Sequence, residues 1–502
     1  MFDKYCLENY DQFTNTFYNK ITINKNDFEF INYVKGRKNI IYANKPKDVE
    51  HITKQLCAKN IENFISSTKE YNAIKTFLHA EYNLLDGLKK GIVYHHGGMP
   101  DNIKLYVEYM YRKYNELLYI VTTSTLLEGV NIPAEKIFIL SSKKGRRNLT
   151  RSNFINLVGR VCRFNDIFNN VNKNLNLLEP EVYLINGQYM ASNFNPKLFL
   201  ETRLGYNKLN KDLIENPLLM SKNDEEELKA IEYIENVEKG TVSLNKKINY
   251  ASSKIAISCF NNNIQEFDII ENEKILLQNY EYIRNIKPIK TSNELLDLIY
   301  FLFIQNIQEI KDDNIKRLSN ASARSFYQMF LNWRVRGVTY KTLIEYWNEL
   351  DEDSTIIYVG PQWGEIKLHD GDRIPLYVNI KNKDYKQRIN LAIVKIKEEQ
   401  DFLDFYIMKF VEVINDLGLI DSDFYQSIKY GSSDKRIILM LQNGFSLDLA
   451  LLLKNKVYLK YIKFDFEKSE VIFDECLINE LKRNQENDIL IFEAQFYIFH
   501  MK

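Results

Sequence analysis

Two arginines three residues apart, Arg160 and Arg163, stand in the run NFINLVGRVCRF at 153–164, where a helix would place both on one face. Side-by-side guanidinium groups repel unless an anion lies between them. A phosphoryl group in transfer is such an anion, and arginines stabilise its developing charge. The competing reading is a solvated basic face. Upstream, IVTTSTLLEGVNIPA at 120–134 ends an apolar run in hydroxyl side chains, and Gly129 permits close backbone approach before Asn131 and Pro133. Strand ends of parallel α/β sheets are where ligands bind, and hydroxyls with free backbone NH groups suit phosphate oxygens. The alternative there is a strand, a loop and a helix cap. A third segment, GIVYHHGGMP at 91–100, sets His95, His96 and a glycine pair between a strand and a helix. The two imidazoles point in different directions on any regular element, so a loop whose backbone meets a ligand is expected rather than a shared metal.

The elements that must position these residues alternate between short apolar runs and longer helical stretches from about 39 to 187. NIIY at 39–42, residues 92–94, 119–122, 137–140 and 182–185 read as buried strands. Between them, a helix from Asp48 turns Val49, Ile52, Leu56 and Ile61 inward. A second helix follows Pro100, with Asp101 as its cap and Ile103, Val107, Met110, Tyr111, Tyr114 and Leu118 at helical spacing. Such alternation predicts an α/β domain, a parallel sheet covered by helices. After about residue 190 the chain becomes mainly helical. It carries a small β element at 355–380, with a turn at Asp370–Gly371. A winged-helix-like order follows: helices over 435–453 joined at Asn443–Gly444, then the strand-like runs VYLKYIKF and EVIF.

Bulk properties exclude little. Lys+Arg and Asp+Glu are each 67, so only local clustering of charge can indicate a nucleic-acid partner. Between Lys136 and Asn165 no acidic residue occurs, while Lys143, Lys144, Arg146, Arg147, Arg151, Arg160 and Arg163 do; this is a track for a phosphate backbone or an ordinary basic loop. A mixture of Arg324, Phe326, Tyr327, Trp333, Arg334, Arg336 and Tyr340 reads equally as a single-strand platform or as a helix core. Five dispersed cysteines without a CxxC pair suit a reducing interior, and no signal-peptide or membrane-length apolar run occurs, so a cytoplasmic protein without membrane association is expected.

In order, HHGG at 95–98, TSTLLEGVNIP at 123–133 and NLVGRVCR at 156–163 resemble the second RecA-like domain of superfamily 2 helicases, closest to the superkiller-like branch, related to the DEAD and DEAH types. IIYANKPKDVEHI from Ile40 is similar to the preceding family motif. Four motifs in register over about 125 residues make the likeness specific over 35–190. It extends loosely to FLNWRVRGVTYKTLIEYW near 330–347, and the overall texture is similar to antiphage helicases of the Hachiman type. The resemblance implies that Asn44, His95, His96, Gly97, Thr123, Ser124, Thr125 and Arg151 contact the backbone of DNA or RNA. It implies that Gly129, Asn131 and Asn156 bind nucleotide and that Arg160 and Arg163 reach the γ-phosphate. One departure is Val161-Cys162, where the family has small residues between the arginines.

Such a motor binds ATP and Mg2+ between two lobes, the first supplying a Gly-Lys-Ser/Thr loop and an Asp-Glu pair. No Gly-Lys dipeptide occurs in the chain, and the residues before Asn39 are too few for a further domain. Asp474-Glu475 in VIFDEC imitates a magnesium-binding strand but follows every other motif, so it reads as structural. The division expected is a lead-in over 1–34, the helicase lobe at 35–190, a helical connector at 191–300 and an accessory region at 301–502. The chain alone is expected not to hydrolyse ATP. A polypeptide or segment carrying the first lobe is expected as partner, together with a defence effector if the antiphage likeness holds. The rival is a non-catalytic module, derived from a helicase, that binds nucleic acid or regulates a partner.

Overall fold

A computed structural model describes residues 5–11, 16–22, 26–59, 69–127, 132, 134–159, 181–191, 193–195, 198–199, 251–348, 356–368 and 374–500. By internal packing the chain forms two units. One comprises Met1–Tyr206, Trp333–Asp401 and Gln426–Lys502; the other comprises Asn207–Asn332 and Phe402–Tyr425.

The first unit is built on a seven-stranded sheet. Its parallel core runs β9 (Glu181–Asn186), β6 (Lys136–Ile139), β3 (Asn39–Tyr42), β5 (Tyr119–Thr122) and β4 (Ile92–His95). Every residue of β3, β4 and β5 is buried, as expected of strands with helices on both faces. The five strand positions read from the sequence coincide with these elements to within a residue. The segment before Asn39 adds two more strands, β1 (Tyr5–Asp11) and β2 (Thr16–Thr22), and a helix, α1 (Asp27–Val34). β1 pairs antiparallel with β9 and with β2, so this segment extends the sheet beyond its parallel part.

Helix α2 (Pro46–Lys59) buries Val49, Ile52 and Leu56 as its periodicity predicts; Ile61 lies outside the described residues. Helices α3 (Lys69–Phe77) and α4 (Asn83–Leu88) lead to β4. α5 (Asp101–Lys113) buries Ile103, Val107, Met110 and Tyr111. Asp101 does not cap α5. Pro100 holds the N-cap position with no side-chain bond, and Asp101 instead pairs with Lys104 and, at 3.0 Å, with Lys397.

Parts of the chain remote in sequence brace these helices within the same unit. On the helix Tyr385–Phe402, buried Asn390 donates to the Glu81 carbonyl at 2.8 Å and accepts from the Asn83 amide at 2.8 Å. Before the helix Asp488–His500, Asn487 donates to the Ala73 carbonyl at 2.9 Å, while Asp488 accepts from the Tyr106 hydroxyl at 2.7 Å and Phe492 stacks on Tyr109. The β element is a pair of short antiparallel strands, Ile356–Tyr358 and Tyr377–Asn379, with Ile366 bridging Tyr377; the turn at Asp370–Gly371 lies outside the described residues.

Near the C-terminus the helices Lys435–Gln442 and Leu447–Leu453 meet at Gly444 (φ 91°), and a hairpin pairs Ile462–Asp465 with Glu470–Phe473. The VYL of VYLKYIKF is helical (Lys456–Leu459) rather than extended, because Asn455 caps a turn there. Asp474 accepts from the Cys476 amide at 2.8 Å, a turn-capping use of its carboxylate.

The second unit is helical among its described residues. Ser253, Asp268 and Thr291 cap helices beginning at Lys254, Ile269 and Ser292, the last with a reciprocal Thr291–Glu294 capping box. Buried Asn272 exchanges bonds with the main chain of Gln308, tying two segments together. Arg324 donates to Asp297 and the Leu318 carbonyl and lies over the Tyr300 ring; Tyr327 and Phe330 are buried. Of the cation–aromatic mixture, Arg324, Tyr327 and Phe330 are thus engaged or buried within this unit, whereas Arg336, which belongs to the first unit, is exposed.

Candidate nucleic-acid interface

Register decides which loops converge. Tyr42 lies opposite Thr122 and Ile139, and Thr122 lies opposite His95. The adjacent strands β6, β3, β5 and β4 therefore end in one row, and the segments leaving them, from Ala43, His96, Thr123 and Leu140, emerge at one edge of the sheet. Carboxyl ends of parallel strands are where such sheets hold ligands.

The first of these loops is tied to a basic hairpin. Strands β7 (Lys143–Lys144) and β8 (Arg147–Asn148) flank Gly145, whose φ of 61° suits a residue without Cβ. The Asn44 amide donates to the Gly145 carbonyl at 2.8 Å and accepts from the Gly145 amide at 2.7 Å. Tyr42 adds a hydroxyl bond to the Lys143 carbonyl at 2.7 Å. Asn44 thus positions the hairpin tip, and Arg146 and Arg147 stand exposed there. After the hairpin, Thr150 caps α6 (Arg151–Val158) by accepting from the Asn153 amide; Phe154, Leu157 and Val158 face the core, while Arg151 and Asn156 are exposed.

His95 and His96 are 3% and 1% exposed, so what the HHGG segment presents outward is the main chain of Gly97 and Gly98. Their partners lie on different elements. His95 Nε2 lies 2.9 Å from the Glu108 carboxylate on α5, and its Nδ1 lies 3.0 Å from the Thr125 hydroxyl. His96 stacks on Tyr94 at 5.3 Å and packs beside Trp363. Its Nδ1 accepts from the Gly98 amide at 3.2 Å; its Nε2 lies 3.5 Å from Glu50 without hydrogen-bond geometry. Burial lowers the His96 pKa from the ordinary imidazole value, against the pull of Glu50.

After β5 the chain enters a 3-10 turn, Ser124–Leu127. The Thr123 amide donates to the His95 carbonyl, and the Thr123 and Thr125 hydroxyls lie 3.3 Å apart. The HHGG and TSTL segments, read separately in the sequence, are one laced structure. Thr123 is buried, whereas Ser124 and Thr125 are half-buried. Gly129, Asn131, Arg160 and Arg163 lie outside the described residues. Among the described residues no cluster of His, Cys, Asp or Glu is arranged to hold a metal ion, and no helix is long and apolar enough to cross a membrane.

Glu108 and Trp363 were not singled out by sequence. Glu108 left one signal, an acid beside Val107 on the inward stripe of α5. Trp363 left none, since it reaches His96 from a segment far along the chain.

At the amino end of β3, opposite the site, Lys38 is a buried lysine whose ammonium donates to the carbonyls of Tyr111 and Tyr114 at 2.5 Å and of Leu117 at 2.8 Å, 4.2 Å above the Tyr111 ring. Burial lowers its pKa to about 8, with Glu116 acting in the opposite direction. It caps the C-terminal end of α5, where main-chain carbonyls lack helical partners.

DNA polymerase theta of Caenorhabditis elegans is 35% identical over 100 residues, 20% of this chain. The Helicase POLQ-like proteins of Drosophila melanogaster and C. elegans are 38% identical over 76 residues and 34% over 74, covering 15% and 14% of the chain. Part of this chain is helicase-related. The matched stretches cover 6%, 7% and 8% of those relatives' lengths, so the likeness is to a part of each. No family model matches the chain.

Proposed function

We propose that this chain is the second, RecA-like lobe of an ATP-dependent nucleic-acid helicase or translocase, with a helical and winged-helix-like accessory region. The observation that carries the reading is the convergence at one sheet edge of the Asn44 loop, the Gly97–Gly98 main chain, the Thr123–Thr125 turn and the Arg146–Arg147 hairpin, in a chain with helicase-related sequence. Main-chain NH groups, hydroxyls and guanidinium groups bind phosphate without reading base identity. A DNA or RNA backbone therefore crosses this edge, with Arg151 continuing the basic path. Gly129, Asn131 and Asn156 face the nucleotide, and Arg160 and Arg163 meet the γ-phosphate of an ATP whose phosphates and Mg2+ are held by a first lobe on a partner polypeptide or segment. A role in antiphage defence rests on the resemblance of texture alone.

The hairpin offers the simplest test. Arg146→Ala and Arg147→Ala should each weaken binding of a labelled single strand across sequences and lower the slope of log affinity against log salt by about 1. Unchanged affinity and slope in the double variant would remove the hairpin from the interface.

A further inference from the structure

Resting on the nucleic-acid reading above, we propose that Glu108 and His95 form a proton-directed relay that sets whether the Thr125 hydroxyl donates toward a phosphate. Glu108 and His95 are then positioning residues, acting through the threonines rather than by touching nucleic acid.

Glu108 Oε1, His95 Nε2, His95 Nδ1, Thr125 Oγ1 and Thr123 Oγ1 form an unbroken chain, with successive contacts of 2.9, 3.0 and 3.3 Å on either side of the ring. A carboxylate accepts and does not donate, so the proton at the first contact lies on Nε2. A neutral imidazole carries a single N–H, which leaves Nδ1 as an acceptor that takes the Thr125 hydroxyl proton. Thr125 must then be the acceptor in its bond with Thr123. Both hydroxyl protons point inward, and Thr125, the half-buried member, is left with one free lone pair and no proton to offer. In this state the turn offers a phosphate oxygen its main-chain NH groups and the Ser124 hydroxyl, but no proton from Thr125.

A second proton on the ring reverses the chain. Nδ1–H now donates to Thr125 Oγ1, and the Thr125 proton is released to donate outward, above an imidazolium whose other N–H stays on the Glu108 carboxylate. A phosphate at this spot gains a donor and a nearby positive charge, so binding and protonation of His95 are linked. Among the described residues, the charged and polar groups around the ring come from α5, β5 and the 3-10 turn. α5 brings Glu108, and Arg112, whose Nε is bonded to the Glu108 carbonyl; β5 and the 3-10 turn bring only hydroxyls. His96, next in the chain, faces Glu50 of α2, with Lys104 of α5 acting on it from farther off.

The test uses the full chain with labelled oligothymidylate and oligouridylate, titrated at constant ionic strength from about pH 8.5 to about pH 5.5, the range in which imidazole changes charge. Wild type should tighten about three- to tenfold toward acid, the worth of one added donor. Thr125→Val should lose that component while keeping the titration of the other histidines. Glu108→Gln, whose amide can either donate or accept, no longer fixes the proton on Nε2 and should reduce the tightening. Nitrogen-15 spectra of the His95 ring in the free wild-type chain should show the Nε2–H tautomer at alkaline pH, a readout independent of any variant's folding. Identical pH profiles for wild type and Thr125→Val, or an Nδ1–H tautomer, overturn the relay. Absence of binding at every pH overturns the nucleic-acid reading itself, which separates the two failures.

Discussion

Replacing Lys38 with methionine should destabilise the α/β unit by about 3 kcal/mol, because the buried ammonium satisfies carbonyls that methionine cannot reach. Tyr111 and Leu117 lie at the C-terminal end of α5 and just beyond it, and their carbonyls face Lys38 at 2.5 and 2.8 Å. Tyr114 has a second partner in the Leu117 amide, at 3.2 Å, so its carbonyl loses less. The same substitution removes the cation from above the Tyr111 ring, whose hydroxyl donates to the Asn39 carbonyl at the start of β3. The consequence therefore extends from the helix end to the sheet. Denaturant or thermal unfolding of the two proteins, followed by near-ultraviolet circular dichroism, measures it. A change below about 0.5 kcal/mol, typical of surface substitutions, would show that Lys38 is not the cap we describe.

Arg160→Ala should lower ATP turnover by about a thousandfold or more when the chain is complemented by a polypeptide carrying a Gly-Lys-Thr loop and an Asp-Glu pair, the range over which arginine fingers act. The chain alone should show no turnover, because guanidinium groups without a phosphate cradle cannot position a nucleotide. Binding of nucleic acid should survive the substitution, since the loops at the sheet edge are untouched. Full complemented activity in Arg160→Ala would favour the rival reading, a helicase-derived module that binds or regulates without turning over ATP. Robust hydrolysis by the unaided chain would overturn the assignment of the phosphate cradle to another lobe.

What the sequence disclosed followed physical reach. Strands buried on both faces are nearly continuous apolar runs, so NIIY and YIVT announced β3 and β5 residue for residue. The strands before Asn39 were missed because TFYNKIT mixes polar and apolar residues, as an antiparallel edge does, and nothing local says that β9 receives β1. At the candidate site, HHGG and TSTL were visible as motifs, but not that His95 binds the Thr125 hydroxyl across 30 positions or that Glu108 lies behind it. Lys38 resembles any lysine before a strand until the carbonyls beyond α5 close around it. Asn44 was legible as a loop residue, yet its reciprocal bonds to Gly145 depend on a hairpin 101 positions away.

Hydrogen exchange of the full chain, with and without a saturating single-stranded oligonucleotide, tests the path proposed for nucleic acid across this sheet edge. Protection on binding should concentrate in the segments that leave β3, β4, β5 and β6, around Asn44, Gly97–Gly98, Thr123–Thr125 and Arg146–Arg147, with the antiparallel strands β1 and β2 unchanged. Protection confined to β1, β2 or the hairpin Ile462–Phe473, with these loops exchanging as in the free chain, would contradict it.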